Sequence, residues 1–398
     1  MSDLYAEALA LHSEHHGKLK VESKVPCENA HDLSVAYTPG VAQPCREIAA
    51  DPENSYVYTG RGNTVAVVTD GTAVLGLGDI GPSAALPVME GKALLMKKFA
   101  GLDAWPICLD TKDPKEIIQI CKAIAPGIGA INLEDISAPR CVEIERTLIK
   151  ELNIPVFHDD QHGTAIVVLA ALINAMKLKK KDPADMKVVI SGTGAAGSSI
   201  IRMLYQYGFH RIYAFDIDGC LCAEQADTYN DLKKELLSYV NLDHQHYASL
   251  AEAMQGADIF VGVSAPRLVT KEMVASMNEG CVVFPMANPE PEITYAQAKE
   301  AGAYIIGTGR SDNPNQVNNL LAFPGLFRGA LDAGATKITE SMKIAASMAI
   351  ASLIEEKDLT PDHIIVSPFD ERVVPTVANA VAQEAKKSGV VRKGSHHE

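Results

Sequence analysis

The stretch His158-Asp159-Asp160-Gln161-His162-Gly163-Thr164-Ala165 sets two adjacent carboxylates between a short apolar strand, Pro155 to Phe157, and a long apolar helix. Acids at strand ends recur upstream: a strand Ala130 to Leu133 runs into Glu134-Asp135, and Trp105 to Leu109 runs into Asp110. Between these strands lie stretches of helical length and pattern, roughly Asp113 to Ala125 and Pro139 to Leu152. Strand, helix, strand, helix, strand predicts parallel neighbours joined by right-handed crossovers, so all three strand ends open on one edge of one sheet. Carboxylates gathered there repel one another unless a cation sits among them, and hard oxygen ligands suit Mg²⁺ or Mn²⁺ better than Zn²⁺. The expected site is a divalent metal centre, with His158 and His162 supporting it rather than ligating.

A second chemistry-bearing run follows. Val188-Val189-Ile190-Ser191 reads as a strand and leads into Gly192-Thr193-Gly194-Ala195-Ala196-Gly197, then into a helical Ser198 to Tyr207. Gly192 allows the tight turn, Gly194 lets the backbone approach a pyrophosphate, Gly197 permits close helix packing, and the helix N-terminus faces the phosphates. The next strand, Arg211 to Phe215, ends at Asp216, nineteen residues beyond Gly197, where a carboxylate accepts from the ribose hydroxyls and repels a 2′-phosphate. Asp218 adds another negative charge and no cation, which predicts NAD over NADP, with NADP as the lesser possibility.

The elements around these runs give the frame. Thr64 to Thr69 and Ala73 to Leu77 flank Asp70-Gly71, a hairpin signal. From Lys187 onward, strands near Lys187 to Ser191, Arg211 to Phe215, Ile259 to Val263, Cys281 to Phe284 and Tyr304 to Ile306 leave room for intervening helices. The fold class is α/β: a substrate and metal domain with a parallel sheet over residues 1–158, and a doubly wound Rossmann-type NAD-binding domain over 159–318. The cluster Lys177, Lys179, Lys180 and Lys181 reads as cations at a helix C-terminus.

At 398 residues with 47 % hydrophobic content the chain supports two ordinary cores. A net charge of −14 argues against nucleic acid or an anionic membrane surface as partner. The longest apolar runs, such as Thr164 to Met176 and Ile344 to Ile354, are too short to span a bilayer, and the start carries no leader pattern, which points to a cytoplasmic protein. Eight cysteines lack any Cys-x-x-Cys pair and are expected to be free, mostly packed thiols. The polar ending Gly394-Ser395-His396-His397-Glu398 stays outside the fold argument.

Taken together the motifs resemble the malic enzymes, in their short bacterial form, from about Glu14 to about Gln383. The resemblance rests on Ala36-Tyr37-Thr38-Pro39-Gly40-Val41, Val68-Thr69-Asp70-Gly71, Gly76-Leu77-Gly78-Asp79-Ile80-Gly81 and Gly91-Lys92. Further matches are Leu133-Glu134-Asp135, Asp159-Asp160 with Gly163-Thr164-Ala165, Ala287-Asn288-Pro289, and Asn318-Asn319 with Ala322-Phe323-Pro324-Gly325. It implies oxidative decarboxylation of L-malate to pyruvate and CO₂ with reduction of NAD, and decarboxylation of oxaloacetate. Glu134, Asp135 and Asp160 would hold Mn²⁺ or Mg²⁺. Lys92 would be the general base on the C2 hydroxyl, oriented by Asp159, its neutral form favoured by the metal or by partial burial. Tyr37 would protonate the enolpyruvate.

The resemblance also implies that Ser264, Asn288 and the glycine-rich turn contact the cofactor, while Asn288, Asn318 and Asn319 contact substrate. One departure stands out: longer malic enzymes carry an arginine for the substrate carboxylate two residues after Thr-Asp-Gly, where this chain reads Gly71-Thr72-Ala73. Arg46, Arg61 or backbone amides are the substitutes to consider. A homodimer or higher homo-oligomer is implied, and so are C-terminal helices over 319–398 that pack back on the first domain. Two rival readings are a malolactic-type conversion of malate to lactate, and a non-catalytic nucleotide-sensing protein on the same fold.

Overall fold

The computed structural model describes residues 2–74 and 76–392; the 394–398 ending lies outside them. Two sheets form. The first has β1 (Thr64–Thr69), β2 (Asp103–Cys108), β3 (Ala130–Leu133) and β4 (Val156–His158) in the order β2-β1-β3-β4, all parallel. The second has β5 (Lys187–Ser191), β6 (Arg211–Asp216), β7 (Gly219–Cys220), β8 (Ile259–Gly262), β9 (Val282–Pro285) and β10 (Ile305–Ile306) in the order β10-β9-β8-β5-β6-β7, parallel except for β7. The doubly wound pattern read from the sequence is present, with strand order reversing at β5, where such folds take their ligands.

The predicted hairpin at Asp70-Gly71 does not form. β1 is a central strand, parallel to β2 and β3, and among the described residues the segment after it makes an isolated bridge of Val74 to Gly78. The reason is burial on both faces: Val65, Ala66, Val67 and Val68 are all fully buried, the continuous apolar pattern of a parallel strand rather than the alternation of a hairpin. Gly71, at φ +69°, turns the chain so that the amides of Ile80 and Gly81 donate to its carbonyl. A side chain there would strike the Gly81 backbone.

Helices cover both faces of this sheet. Pro114–Ile124 and Arg140–Glu151 pack over Ala66, Val68, Ile131 and Leu133. The other face, with Val65, Val67 and Phe157, meets the Pro82–Ala100 and Asp159–Lys179 helices. Asp159–Lys179 is long and apolar enough to cross a membrane, yet 83 % of its apolar window is buried between the two sheets, so it is a core helix. The expectation that its apolar run was too short is replaced by this burial argument. It ends at Lys180 in the left-handed conformation, with Lys177 and Lys179 in the last turn. Of the C-terminal helices, Phe323–Asp332 packs on Pro82–Ala100, Glu340–Ser352 on Asp159–Lys179, and Val373–Lys387 on both of these C-terminal helices. The eight cysteines are free, three of them buried and Cys27 and Cys45 exposed.

Candidate active site and metal centre

Sheet register levels the acids. Leu133 pairs with Val68 on one side and with His158 on the other, so the residues that follow, Glu134 and Asp159, leave the sheet at the same height. One carboxylate oxygen from each of Glu134, Asp135 and Asp160 lies within 4.8 Å of the others. Asp135 sits at φ +54°, and its backbone N–H donates to Asp160 Oδ2 at 2.7 Å, which ties the two loops together. Asp110 is not brought in. It is exposed at the end of β2, one strand beyond β1, so β1 separates it from the cluster. Asp70, at the end of β1, takes the nearer place: it is buried and pairs with Arg140 at 3.0 Å.

Lys92 enters from the Pro82–Ala100 helix. Its Nζ lies 2.6 Å from Asp159 Oδ2, 2.9 Å from Glu134 Oε1 and 4.2 Å from the centre of the Phe323 ring. Burial alone would lower its pKa, but Asp159 and Glu134 outweigh that and hold the ammonium well above its ordinary range. Burial lifts Glu134 to about 7 against the pull of Lys92, and Asp159 likewise to about 7; Asp160 rises to about 6. These directions are compatible because one ammonium cannot neutralise several buried carboxylates: Lys92 stays charged and the surplus acids hold protons. The expectation that the site favours neutral Lys92 is therefore not met by the protein groups alone.

The donor set fits a hard divalent cation. It is all oxygen, nearly closed to solvent at Glu134 (3 % exposed) and Asp135 (4 %), and carries more negative charge than its one lysine balances. Asn319 Nδ2 donates to Asp159 Oδ2 at 2.5 Å. Gly163 allows this packing, since a side chain there would collide with the Asp159 carboxylate. Asn318 is turned to its own loop and accepts from the Leu320 amide. Asn288 precedes Pro289, whose ring abuts Gly76 of the first sheet's loop, so the two sheets' loops meet at that point.

Behind the acids lies a buried network that the sequence reading did not find. Glu145 accepts from the His158 backbone N–H at 2.8 Å and contacts His162 Nε2 at 2.9 Å, while His162 Nδ1 meets Ser199 and Lys343. Burial would raise Glu145, but His162 and its neighbours hold it down at about 2. Neither imidazole belongs to the group of three metal-type acids.

Of the two arginines considered in place of the missing one, Arg61 is committed elsewhere, to Ile128 and Ala125 carbonyls and Ser55 Oγ. Arg46 binds Gln43 on an exposed helix. Arg140 clamps Asp70, Thr72 and Ser137 beside the Asp135 loop. Tyr37 stands apart: it is 66 % exposed and makes no side-chain hydrogen bond or ring contact with any described residue.

At the nucleotide turn Gly192 has φ +103°, and a side chain on Gly197 would strike the Gly192 carbonyl. The helix begins at Ala195, with Gly194 as N-cap. Ser264 Oγ pairs with Ser191 Oγ at 2.8 Å, and its amide donates to the buried Glu292, which also takes the Ala287 amide. Asp216 accepts from Thr193 Oγ1. The reading that no cation attends it needs correction: Lys233, on the Asp231–Leu236 helix, reaches Asp216 at 2.9 Å and Asp218 at 3.4 Å. A lysine seventeen positions downstream in a separate helix leaves no local signal.

Comparison with known proteins agrees with this geometry. Residues 16–149 match the malic enzyme N-terminal domain and residues 161–386 the malic enzyme NAD binding domain. The chain is 56 % identical over 389 residues to a bifunctional malic/malolactic enzyme of Bacillus subtilis, covering 98 % of this chain and 95 % of the relative. It is 54 % identical to an NAD-dependent malic enzyme of Geobacillus stearothermophilus, covering 95 % of this chain and 78 % of the relative. The crystal structure of a malic enzyme from Pyrococcus horikoshii superposes with a TM-score of 0.92 at 46 % identity, covering 98 % of this chain and 92 % of that one. With both domain models matched in chain order and the acid-lined site at the sheet edge, the chain belongs to the malic enzyme family.

Proposed function

We propose that the chain oxidises L-malate with NAD⁺ and decarboxylates the product to pyruvate and CO₂. The observation that carries this is the convergence of Lys92 and Asp159 with Glu134, Asp135 and Asp160 at one sheet edge, with a dinucleotide turn in the same chain. A divalent cation held by Glu134, Asp135 and Asp160 would supply Lewis acidity at the substrate's C2 oxygen and positive charge that favours a neutral Lys92. A nicotinamide carried by the Gly192–Gly197 turn would supply the hydride acceptor.

Lys92 takes the C2 hydroxyl proton and Asp159 orients it, itself fixed by Asn319. Tyr37 returns a proton to C3 of the enol. Ser264 and Asn288 line the cofactor side. Asn318 and Asn319 border the substrate, Asn319 acting through Asp159. Arg140 supplies positive charge at the rim of the acidic cluster, on the side that Arg46 and Arg61 do not serve. The working division is a substrate and metal unit over 1–158, a nucleotide unit over 159–318 and helices over 319–398 returning to the first. The two separate sheets and the packing of Phe323–Asp332 on Pro82–Ala100 support it. The net charge of −14 favours small solutes over nucleic acid or anionic membrane, and a cytoplasmic setting suits free thiols.

The test follows absorbance of the reduced cofactor with L-malate, Mn²⁺ and either NAD⁺ or NADP⁺. Pyruvate and reduced cofactor in equal amounts support the proposal. The Bacillus subtilis relative's name favours one second reading, a malolactic conversion; lactate formed without release of reduced cofactor would establish that instead.

A further inference from the structure

Glu292 is fully buried, and among the described residues no lysine, arginine or histidine pairs with it. Arg267, from the neighbouring loop, is exposed and pairs with Glu290 at 2.8 Å instead. The Glu292 carboxylate collects amides from two loops. Oε1 accepts from the Ser264 N–H at 2.9 Å, on the loop after β8, and Oε2 from the Ala287 N–H at 3.1 Å, on the loop after β9. Its own carbonyl takes the Val269 N–H at 3.0 Å, which closes the first loop on the second. A side chain on Gly262, the last residue of β8, would collide with the carboxylate, so the acid lies directly against the strand end. Donors at both oxygens suit the ionised form, which accepts at both ends. A buried carboxylate without a counter-charge is costly, and amide dipoles offset only part of that cost.

Its place on the sheet indicates which charge is missing. Strand order reverses at β5, and a dinucleotide lies across that point with its phosphates at the Gly192–Gly197 turn. Asp216, at the end of β6, takes the adenosine side. The other half of the cofactor then falls over the ends of β8 and β9, the two strands whose loops Glu292 joins. Those loops carry Asn288 and Ser264, the latter tied to Ser191 at the end of β5 at 2.8 Å. A nicotinamide ring is cationic when oxidised and neutral when reduced. An uncompensated anion on that half of the site therefore meets its counter-charge in one redox form only.

We infer that Glu292 is a positioning residue of the nicotinamide half of the site: it clamps the loops bearing Ser264 and Asn288, and its unpaired charge shifts binding towards NAD⁺ and away from NADH. The inference rests on the NAD⁺ reading proposed above. A clamp without the charge would serve both forms of the cofactor alike, so the ratio of the two affinities separates charge from shape.

The full chain is titrated with NADH by its fluorescence, and NAD⁺ is measured by displacing it, without malate or metal so that turnover plays no part. Glu292→Gln keeps the size and removes the charge. The ratio Kd(NAD⁺)/Kd(NADH) is expected to rise by about tenfold, the lower end of what one close charge does to an equilibrium in a partly buried site. Glu292→Asp keeps the charge and draws it back by one methylene, so both dissociation constants should rise while their ratio stays within about twofold of wild type. If Glu292→Gln does not fold, Glu292→Ser, neutral and with room for a water that serves both amides, is read in the same way. An unmoved ratio in the neutral variant overturns the inference, and so does a Glu292→Asp ratio that moves as far as that of Glu292→Gln. A wild type that binds neither NADH nor NAD⁺ would overturn the proposed cofactor itself.

Discussion

Replacing Glu145 with alanine removes a carboxylate that is 4 % exposed and serves two groups flanking Asp159-Asp160: the His158 amide at 2.8 Å and His162 Nε2 at 2.9 Å. The variant leaves the buried His158 N–H and the buried His162 ring, which burial keeps neutral, without their shared hydrogen-bond partner. Each buried polar group left unsatisfied costs about 1–3 kcal/mol, so the two together cost about 2–6 kcal/mol. At about 2.1 cal/mol/K per residue, 398 residues give an unfolding entropy near 0.8 kcal/mol/K, so the melting temperature should fall by about 2–7 °C. Because the same oxygens fix the backbone from which Asp160 projects, Mn²⁺ affinity should also fall, by about 10–100-fold, the usual loss when a supporting group behind a ligand is removed. Glu145→Gln keeps an acceptor for the His158 amide and should recover part of both losses. Calorimetric melting and Mn²⁺ titration read the two effects. A Glu145→Ala protein that melts within about 1 °C of wild type and binds Mn²⁺ unchanged would refute the reasoning.

Further outcomes follow from the same geometry. Burial lifts Glu134 to about 7, so the metal-free fold holds a proton that the unfolded chain has already released. That contribution is complete below about pH 4 and is lost as pH rises through 7; denaturant titration in EDTA should show wild type losing roughly 2–3 kcal/mol more than Glu134→Gln between pH 5 and pH 8, and equal losses would contradict it. Tyr37→Phe should keep reduction of added oxaloacetate by NADH while pyruvate tautomerisation falls by about 10²–10⁴-fold, and equal loss of both would remove the tyrosine from its assigned step. Asp216→Ala frees Lys233 for a 2′-phosphate and should move kcat/KM towards NADP by about tenfold or more, worth about 1.4 kcal/mol. An unchanged preference would show that the pair does not select the cofactor.

Much of the site was legible because strand order in sequence and acids at strand ends are local signals. β3 and β5 begin and end where the apolar runs predict, and Glu134, Asp135 and Asp160 meet because the crossovers between their strands are of the expected parallel kind. The misreading of β1 came from Asp70-Gly71, a strong hairpin pair whose meaning is reversed once the strand is buried on both faces. With β1 placed inside the sheet, Asp110 leaves the cluster and Asp70 joins its edge. Lys233, Arg140 and the Glu145 network are contacts between distant segments, decided by helix packing. A single charged residue on an amphipathic helix carries no mark of which loop it will reach. The segment before β1 was equally silent, since Leu33 and Val35 look like core residues yet are 50 % and 62 % exposed.

The central claim is that Glu134, Asp135 and Asp160 together hold one divalent cation. Mn²⁺ binding to the full chain, followed by electron paramagnetic resonance of the free ion, tests it without reference to turnover. The account predicts one tight Mn²⁺ per chain, weakened by at least roughly 100-fold in Asp160→Asn and in Glu134→Gln, while Asp110→Asn binds as wild type does. Unaltered Mn²⁺ binding in both ligand variants would contradict it.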